Sequence, residues 1–454
     1  MDKSTTRSWP WGVRIVLALL GVALFGAGIV FFLGVAATAR WDRYAATLRA
    51  GGDPLTFDEL QAARAVLPDE KNSALVIVRL HDRLEELSEE PVGEHVLVFS
   101  GHGYESDFFT GIRRDKIQPS RDFLEPYRDL LAELSVLRDM PTGRFEVMYD
   151  PPTQSITSIL LPELSTLRAA SRLEHLHGIL EHLDGNLAGA LDSARIQFAF
   201  GATLNEHPTI IGRLVQMAVD ALGVRAMENL LRGGELDDVT RWALLGERAH
   251  FSGICDEYVE SAQSRDRVNS IIWGGYSNIL PNALIRENQM RGVEMLSWLV
   301  DAKDDPAKLV AAAQRIDTEA PKLTVMHGLG RMIMPSLSRA VTLHLRISAE
   351  FDCTITALAA ERYRLATGKM PESLDALVPT YLDEVPTDPF DGEPMRFAKT
   401  DEGIVIYSIC DDLVDDGGIV ARQKNKPRVR DVGFRLNRPE HRGLILIDAP
   451  PLED

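Results

Sequence analysis

Cysteine, basic residues and cofactor-binding motifs are all scarce in this chain of 454 residues. The three cysteines lie far apart and form no CxxC pair or other metal-ligand spacing. No P-loop or dinucleotide-binding fingerprint occurs. No G-x-S-x-G nucleophile elbow accompanies the Gly101-His102-Gly103 run. The commonest sequence signals of zinc ribbons, nucleotide-dependent enzymes and α/β-hydrolases are therefore missing, and an enzymatic role is not favoured.

Positively charged residues are fewer than negatively charged ones. The chain has 49 Lys and Arg against 67 Asp and Glu, a formal net charge of −18. Nucleic-acid binding needs clustered Lys and Arg to contact phosphates, so no nucleic-acid partner is expected. The apolar content of 45% is ordinary for a globular protein, and the length leaves room for two or three domains.

Two of the cysteines leave a question open. Cys353 stands on a predicted helix and Cys410 at the end of a predicted strand. If that helix packs on that sheet, the two side chains can meet, either as a disulfide or as two buried thiols. With Cys255 the count is odd, so at least one thiol stays free unless another chain pairs with it.

A long uncharged run stands near the N-terminus, from Ile15 to Ala39. At about 1.5 Å per residue, a helix of this length crosses a hydrocarbon core of roughly 30 Å. Three tryptophans flank the run: Trp9, Trp11 and Trp41. Indole rings prefer the membrane–water interface, so this placement agrees with a membrane span. The run predicts a transmembrane helix over 15–39 behind a tail at 1–14. A cleavable signal peptide is the alternative, because Ala37-Thr38-Ala39 is an A-x-A site.

The orientation of such a span follows from its flanks. Three Lys or Arg residues precede it and three follow closely, so the positive-inside count is a tie. A short leading tail and a large trailing part favour a cytoplasmic N-terminus. We therefore expect a single-pass protein of a bacterial inner membrane, with residues 40–454 in the periplasm.

The region 40–334 is predicted to be a helical domain. Leucines recur at spacings of three and four along one helix face from Leu160 to Leu183, and Asp184-Gly185-Asn186 ends that helix. A partner helix is predicted over 187–204. Helix pairs joined by Gly-rich turns are typical of solenoids, but no sustained 34-residue period occurs. The prediction is an irregular or solenoid-like helical domain.

The pattern changes to α+β in the region 335–454. A long helix is predicted over 335–367, with Gly368 closing it. Strands are predicted over 395–399, 403–408, 430–436 and 444–447. The predicted fold is thus mainly α, with a C-terminal α+β module in which a long helix packs on a small antiparallel sheet.

The residues of this module carry a family resemblance. One set spans the end of the long helix and the loop after it: Tyr363, Gly368, Pro371, Leu374 and Leu377. A second set forms a turn: Asp388-Pro389-Phe390, Asp391-Gly392 and Pro394. A third spans the end of a strand and the loop after it: Tyr407, Ser408 and Asp412.

In this order the segments resemble the C-terminal domain of the major pseudopilin of type II secretion (secretion protein G-like), a family related to type IV pilins. Phe390 replaces the family's Trp, and Cys410 replaces a Gly. The resemblance covers roughly a quarter of the chain and implies a pilin-like module. The chain lacks a prepilin-peptidase site, so polymerisation into a pseudopilus is not expected.

Four carboxylates crowd the turn after the Tyr-Ser strand: Asp411, Asp412, Asp415 and Asp416, followed by Gly417-Gly418. Calcium takes several oxygen ligands, and glycine lets a loop fold around it. The spacing is not that of an EF-hand, so the residues alone leave a calcium site and a solvated β-turn both open. The resemblance implies Ca²⁺ in this loop.

A second cluster lies on one predicted helix: Glu174, His175, His177, Glu181 and His182. His177 and Glu181 are an i,i+4 pair, so a zinc site is conceivable. No HExxH motif occurs, and His175 and His182 share a different face from His177. A solvated polar stripe is the favoured interpretation.

These observations lead to two functional hypotheses. The favoured one is a membrane-anchored scaffold or interaction protein with a pseudopilin-like module, connected with a secretion or surface apparatus and binding protein partners. The alternative is a membrane-anchored hydrolase, which would need a cleft in which two or more perturbed carboxylates converge.

Overall fold

The structure is a computed structural model that describes residues 10–50, 61–89, 96–97, 112–146, 161–233, 282–323, 328–420 and 431–448, apart from 63, 65, 141, 208, 209, 303, 304 and 444. The helices are α1 (Trp11–Ala50), α2 (Ala74–Arg79), α3 (His81–Glu89), α4 (Arg114–Leu124), α5 (Arg128–Leu134), α6 (Pro162–Leu183), α7 (Leu187–Ala202), α8 (Ile210–Arg232), α9 (Asn282–Asp301), α10 (Pro306–Glu319) and α11 (Gly328–Thr367). The strands are β1 (Ile112–Arg113), β2 (Arg396–Lys399), β3 (Gly403–Ser408), β4 (Val432–Asn437) and β5 (Leu446–Ile447).

The N-terminal helix differs from the expectation of a membrane span. The uncharged run is one part of α1, which continues without a break through Arg40, Asp42 and Arg43. The chain's own helix α9 packs along α1, and Ala37 and Ala45 are buried. Large apolar side chains of its first half are exposed.

Within the described residues, no helix combines the length and the apolar character needed to cross a bilayer. The predicted transmembrane helix over 15–39 is therefore wrong, and so are the membrane partner and the inner-membrane, periplasmic placement that rested on it. The prediction rested on the apolar side chains of the run, and nothing in the sequence indicated that α9 packs along this helix.

Helices α6, α7 and α8 pack against one another as the centre of the helical region. The turn between α6 and α7 lies at Asp184–Asn186, as the sequence predicted. Gly185 adopts φ 77°, which glycine reaches without a Cβ penalty, and its N–H donates to the carbonyl of His182 at 3.0 Å. The side chain of Asn186 then caps α7 by accepting from the Gly189 N–H.

A small sheet follows near the C-terminus. Its order is β2-β3-β4, antiparallel throughout, with Arg396 opposite Tyr407 and Ser408 opposite Val432. Helix α11 packs on β3 and β4, and it ends before Gly368, which has φ 74°. The mainly helical fold and the small antiparallel sheet agree with the sequence prediction.

Helix α11 also packs against the helical region. It contacts α8 and α10, and the Phe351 ring lies 5.6 Å from that of Phe198 on α7. Arg232 at the end of α8 donates from Nε to the carbonyl of Arg435 in β4 at 3.1 Å. The helical region and the sheet therefore share one hydrophobic core.

The last strand pairs outside that sheet. β5 runs parallel to β1, with Ile112 opposite Leu446 and Arg113 opposite Ile447. The C-terminal segment thereby returns to the helical region, a long-range pairing that the local strand pattern did not predict.

Candidate functional site

Asp388 organises the turn that precedes β2. Its side chain is fully buried. One carboxylate oxygen accepts from the Ser408 hydroxyl at 2.8 Å and from the Phe390 N–H at 3.0 Å. The other accepts from the Ile409 N–H at 3.0 Å and from Arg396 at 2.9 Å. Four donors satisfy a buried carboxylate, so this turn is a rigid anchor rather than an open binding site.

Arg396 extends this anchor towards the acidic turn. It donates to Asp391 at 2.5 Å and lies 3.6 Å from the carboxylate of Asp415. Burial alone would raise the pKa of Asp391, but the hydrogen bond and the charge of Arg396, together with backbone N–H donors such as that of Glu393, outweigh it and hold that pKa below its usual range. The guanidinium thus joins the turn before β2 to the loop after β3.

The four aspartates of the acidic turn have separate hydrogen-bond partners. Asp411 accepts from the Cys410 thiol at 3.4 Å, and Asp412 accepts from the Val414 N–H at 3.1 Å. Asp415 accepts from the Tyr407 hydroxyl at 3.0 Å and from the Gly417 N–H at 2.8 Å. The N–H of Asp416 donates to a more distant carboxylate, that of Asp431.

Asp431 is a residue of this loop that sequence reasoning missed. It is buried and accepts from the Gly418 N–H at 2.9 Å. Burial raises its pKa, and the neighbouring Asp416 and Asp415 add to that rise. Asp431 is separated from the turn by ten residues outside the described part, and no local signal connects the two.

The glycines of the turn have the predicted backbone role. Gly417 and Gly418 have φ of 75° and 76°, and a Cβ on Gly418 would lie 3.0 Å from the Tyr407 ring. No group of three or more His, Cys, Asp or Glu side chains in the described ranges is arranged to hold a metal ion. Calcium binding at Asp411, Asp412, Asp415 and Asp416 therefore stays a prediction.

Cys353 and Cys410 are free thiols, and both are buried. The Cys353 sulfur lies 4.0 Å from the sulfur of Met395, whereas the Cys410 thiol faces Asp411. Burial raises the pKa of both thiols, that of Cys410 to about 12. The two-thiol alternative is the one observed, and Cys255 lies outside the described residues.

The histidine-rich cluster forms an ordered network on α6. His177 Nδ1 lies 3.3 Å from Glu174, and Nε2 lies 3.3 Å from Glu181. Ser193 on α7 donates to Glu174 at 2.7 Å and lies 3.2 Å from His177 Nδ1. Burial alone would lower the pKa of His177, but the two carboxylates outweigh it and raise that pKa.

This geometry does not form a zinc site. Glu174 and Glu181 contact opposite nitrogens of one imidazole ring, so the ring separates the two carboxylates. His175 and His182 are buried and have pKa values lowered by burial. The expected solvated stripe is not what forms either, since Glu174 is only 1% exposed.

A groove of about 370 Å³ lies over this network, lined by residues of α5, α6 and α7 that include Glu174, His177, Glu181 and Ser193. A serine hydroxyl, an imidazole ring and a carboxylate that are connected one after another by hydrogen bonds are the parts of an acid–base relay. Ser193 was not singled out from the sequence, because a lone serine on a helix has no distinguishing spacing. It is 2% exposed, and its hydroxyl donates to Glu174.

Comparison with protein-family models, with curated proteins and with solved structures found no match to this chain.

Proposed function

We propose that this chain is a scaffold or interaction protein, connected with a secretion or surface apparatus, whose C-terminal part is a pseudopilin-like module. The observation that supports the proposal most strongly is the hydrogen bond between Asp388 and Ser408. It joins two of the three segments on which the resemblance rests, the Asp-Pro-Phe turn and the Tyr-Ser strand. The long helix α11 packed on the antiparallel sheet agrees with the same resemblance.

The packing of α11 argues for a fixed module rather than a filament subunit. This helix contacts β3 and β4 of the sheet and α8 and α10 of the helical region. Along residues 351–361 every side chain except that of Asp352 is buried, so this stretch has no free face for assembly with further copies. The module is therefore a rigid platform that displays its loops.

The loop best suited to a partner follows β3. Its base is fixed by Tyr407 and Asp431, while Leu413, Val414 and Ile419 are about half exposed among the aspartates. An apolar tip with acidic neighbours fits a partner surface with apolar and basic groups. Calcium at the four aspartates belongs to this proposal and would hold the loop in one conformation.

The hydrolase alternative would depend on Ser193, His177 and Glu181. The low exposure of Ser193 and its hydrogen bond to Glu174 argue against a nucleophile that substrates can reach. The network therefore supports a structural role, and the interaction function is the one proposed.

Site-specific photo-crosslinking tests the interaction. A photoreactive residue at Leu413 of the full chain, introduced in the cells that make it, is expected to crosslink to a defined protein. The same residue at Val78 on α2, also exposed, is the matched control. A product that forms at Leu413 and not at Val78, and that disappears with Asp411→Asn and Asp412→Asn, supports the proposal. Equal labelling at both positions contradicts it.

A further inference from the structure

A small cavity lies among α6, α7 and α8, next to the groove. Its volume is about 10 Å³. Glu174, His175 and Gln197 line it together with apolar side chains such as Ile179 and Leu230. It shares Glu174 and Ser193 with the groove but is far smaller.

Three buried polar atoms around this cavity have no hydrogen-bond partner among the described residues. They are Glu174 Oε2, His175 Nδ1 and Gln197 Oε1. The three side chains are at most 5% exposed. Leaving one such group unsatisfied costs about 1–3 kcal/mol, so three together at one place call for a common ligand.

The chemistry of the three atoms defines that ligand. Gln197 Nε2 donates to the Ser171 hydroxyl at 3.0 Å, which turns the amide so that Oε1 is the remaining acceptor. The carboxylate oxygen of Glu174 is a second acceptor. Burial lowers the pKa of His175 to about 4, with Arg225 contributing, so its ring is neutral and carries a single proton.

We propose that this cavity is a binding site for one water molecule, held by Glu174, His175 and Gln197. The water donates its two protons to Glu174 Oε2 and Gln197 Oε1, and it accepts a hydrogen bond from Nδ1–H of His175. The cavity volume matches the roughly 10–15 Å³ that a single water needs, and a buried water has about two to four polar partners.

Other occupants fit less well. The volume excludes an organic ligand. A metal ion is not favoured, because no group of three or more ligating side chains is arranged for one in the described part of the chain. An ammonium ion has four N–H donors and no acceptor for the proton of His175, whereas one water can satisfy the two acceptors and the one donor named above.

The bound water has a consequence for the groove. The other oxygen of Glu174 accepts from Ser193 and lies 3.3 Å from His177. The water thus completes a hydrogen-bonded connection from His175 in the core, through Glu174, to His177 at the surface. Glu174 is a positioning residue that holds this connection in place.

The test uses the unmodified full chain. A crystal structure at a resolution that shows ordered waters is expected to contain one density peak within hydrogen-bond distance of all three atoms. Nitrogen-15 NMR is expected to place the His175 proton on Nδ1, with a cross-relaxation peak to water. A direct hydrogen bond between Glu174 and His175, a dry cavity, or a proton on Nε2 instead would overturn the proposal.

Two variants identify the ligands. Gln197→Met removes the acceptor and keeps the side-chain length, so the water peak is expected to be lost. Gln118→Met, the same substitution at an exposed position of α4, is the matched control, and there the water is expected to remain. The same water in Gln197→Met would show that Gln197 is not a ligand.

Discussion

The carboxylate of Asp388 accepts a hydrogen bond from the hydroxyl of Ser408 at 2.8 Å, deep in the C-terminal module. The two residues are 20 positions apart in sequence and belong to different elements, the turn before β2 and the end of β3. Ile409 and Arg396 complete the set of donors on the second oxygen. This contact fixes where the acidic loop leaves the sheet.

Asp388→Ala is expected to lower the free energy of unfolding by about 3–5 kcal/mol, because it leaves the buried Ser408 hydroxyl and the backbone N–H groups of Phe390 and Ile409 without their acceptor. Urea denaturation monitored by circular dichroism measures the change. Asp401→Ala, at an exposed position in the β2–β3 turn, is the control and should have little effect. Equal midpoints for the two variants would contradict the anchoring role of Asp388.

Glu361 on α11 is expected to make stability depend on pH in the acidic range. It receives two hydrogen bonds each from Arg364 and Arg442. Burial alone would raise its pKa, but the two guanidinium groups lower it from 4.5 to about 2. A lowered carboxyl pKa stabilises the folded state above the unfolded pKa, and this contribution, about 3 kcal/mol, is lost as the pH falls from 4.5 towards 2.

In urea melts at a series of pH values, Glu361→Gln should therefore lose less stability between pH 4.5 and 2 than the unmodified chain does. The exposed Glu440→Gln should lose as much as the unmodified chain. An equal loss in Glu361→Gln and in the unmodified chain would refute the assignment.

The pKa of His177 is expected to depend on Glu181. The ring gains hydrogen bonds to Glu174 and Glu181 in the folded state, which raise its pKa despite burial. The resulting stability is complete below the unfolded pKa and is lost as the pH rises through the folded pKa. In an NMR titration, Glu181→Gln should lower the His177 pKa. Glu85→Gln, which removes the exposed partner of His81, should not. An unchanged His177 titration in Glu181→Gln would rule out the pairing.

Asp220→Asn is expected to stabilise the protein at neutral and alkaline pH. Asp220 on α8 is fully buried, and a Cβ on Gly201 would lie 1.7 Å from its carboxylate, so the two helices enclose it tightly. Burial raises its pKa to about 8, although Arg213 opposes the rise. The folded state therefore holds a proton that the unfolded chain releases above about pH 4, and stability falls as the pH rises from there to 8.

The asparagine removes this dependence, with a gain on the order of a few kcal/mol above pH 8. Thermal melts across this pH range measure it. Asp317→Asn at an exposed site of α10 is the control. A lower melting temperature for Asp220→Asn at pH 8 would be the opposite of the expected result.

Calcium is expected to raise the melting temperature of the full chain relative to chelator, because a ligand that binds only the folded state stabilises it. The shift should disappear in Asp412→Ala and in Asp416→Ala. Asp375→Ala, outside the acidic turn, should keep it. Absence of any shift at millimolar calcium, or the same shift in the aspartate variants of the turn, would remove the site.

Local signals predicted the elements of this protein well. The predicted start and end of β3, the break at Asp184–Asn186 and the end of α11 before Gly368 all agree with the structure. Each depends on the preferences of residues a few positions apart. The acidic turn was also recognised from its composition, although its buried carboxylate Asp431 was not.

Contacts between residues far apart in the sequence could not be predicted from such local signals. The helix near the N-terminus was predicted from its uncharged run, and a helical continuation from Arg40 was predicted as well, but no local signal indicated its contact with α9. The histidine-rich cluster was interpreted as a solvated stripe. The structure buries Glu174 beneath Ser193, a residue on the next helix.

The sequence by itself determined where helices and strands form and which glycines allow their turns, because backbone preference acts over a few neighbouring residues. Only the tertiary structure decided which carboxylates are buried, which donors reach them and what α1 and β5 lie against. Burial and charge pairing depend on atoms that are brought together by packing, and those atoms are commonly tens to hundreds of residues apart along this chain.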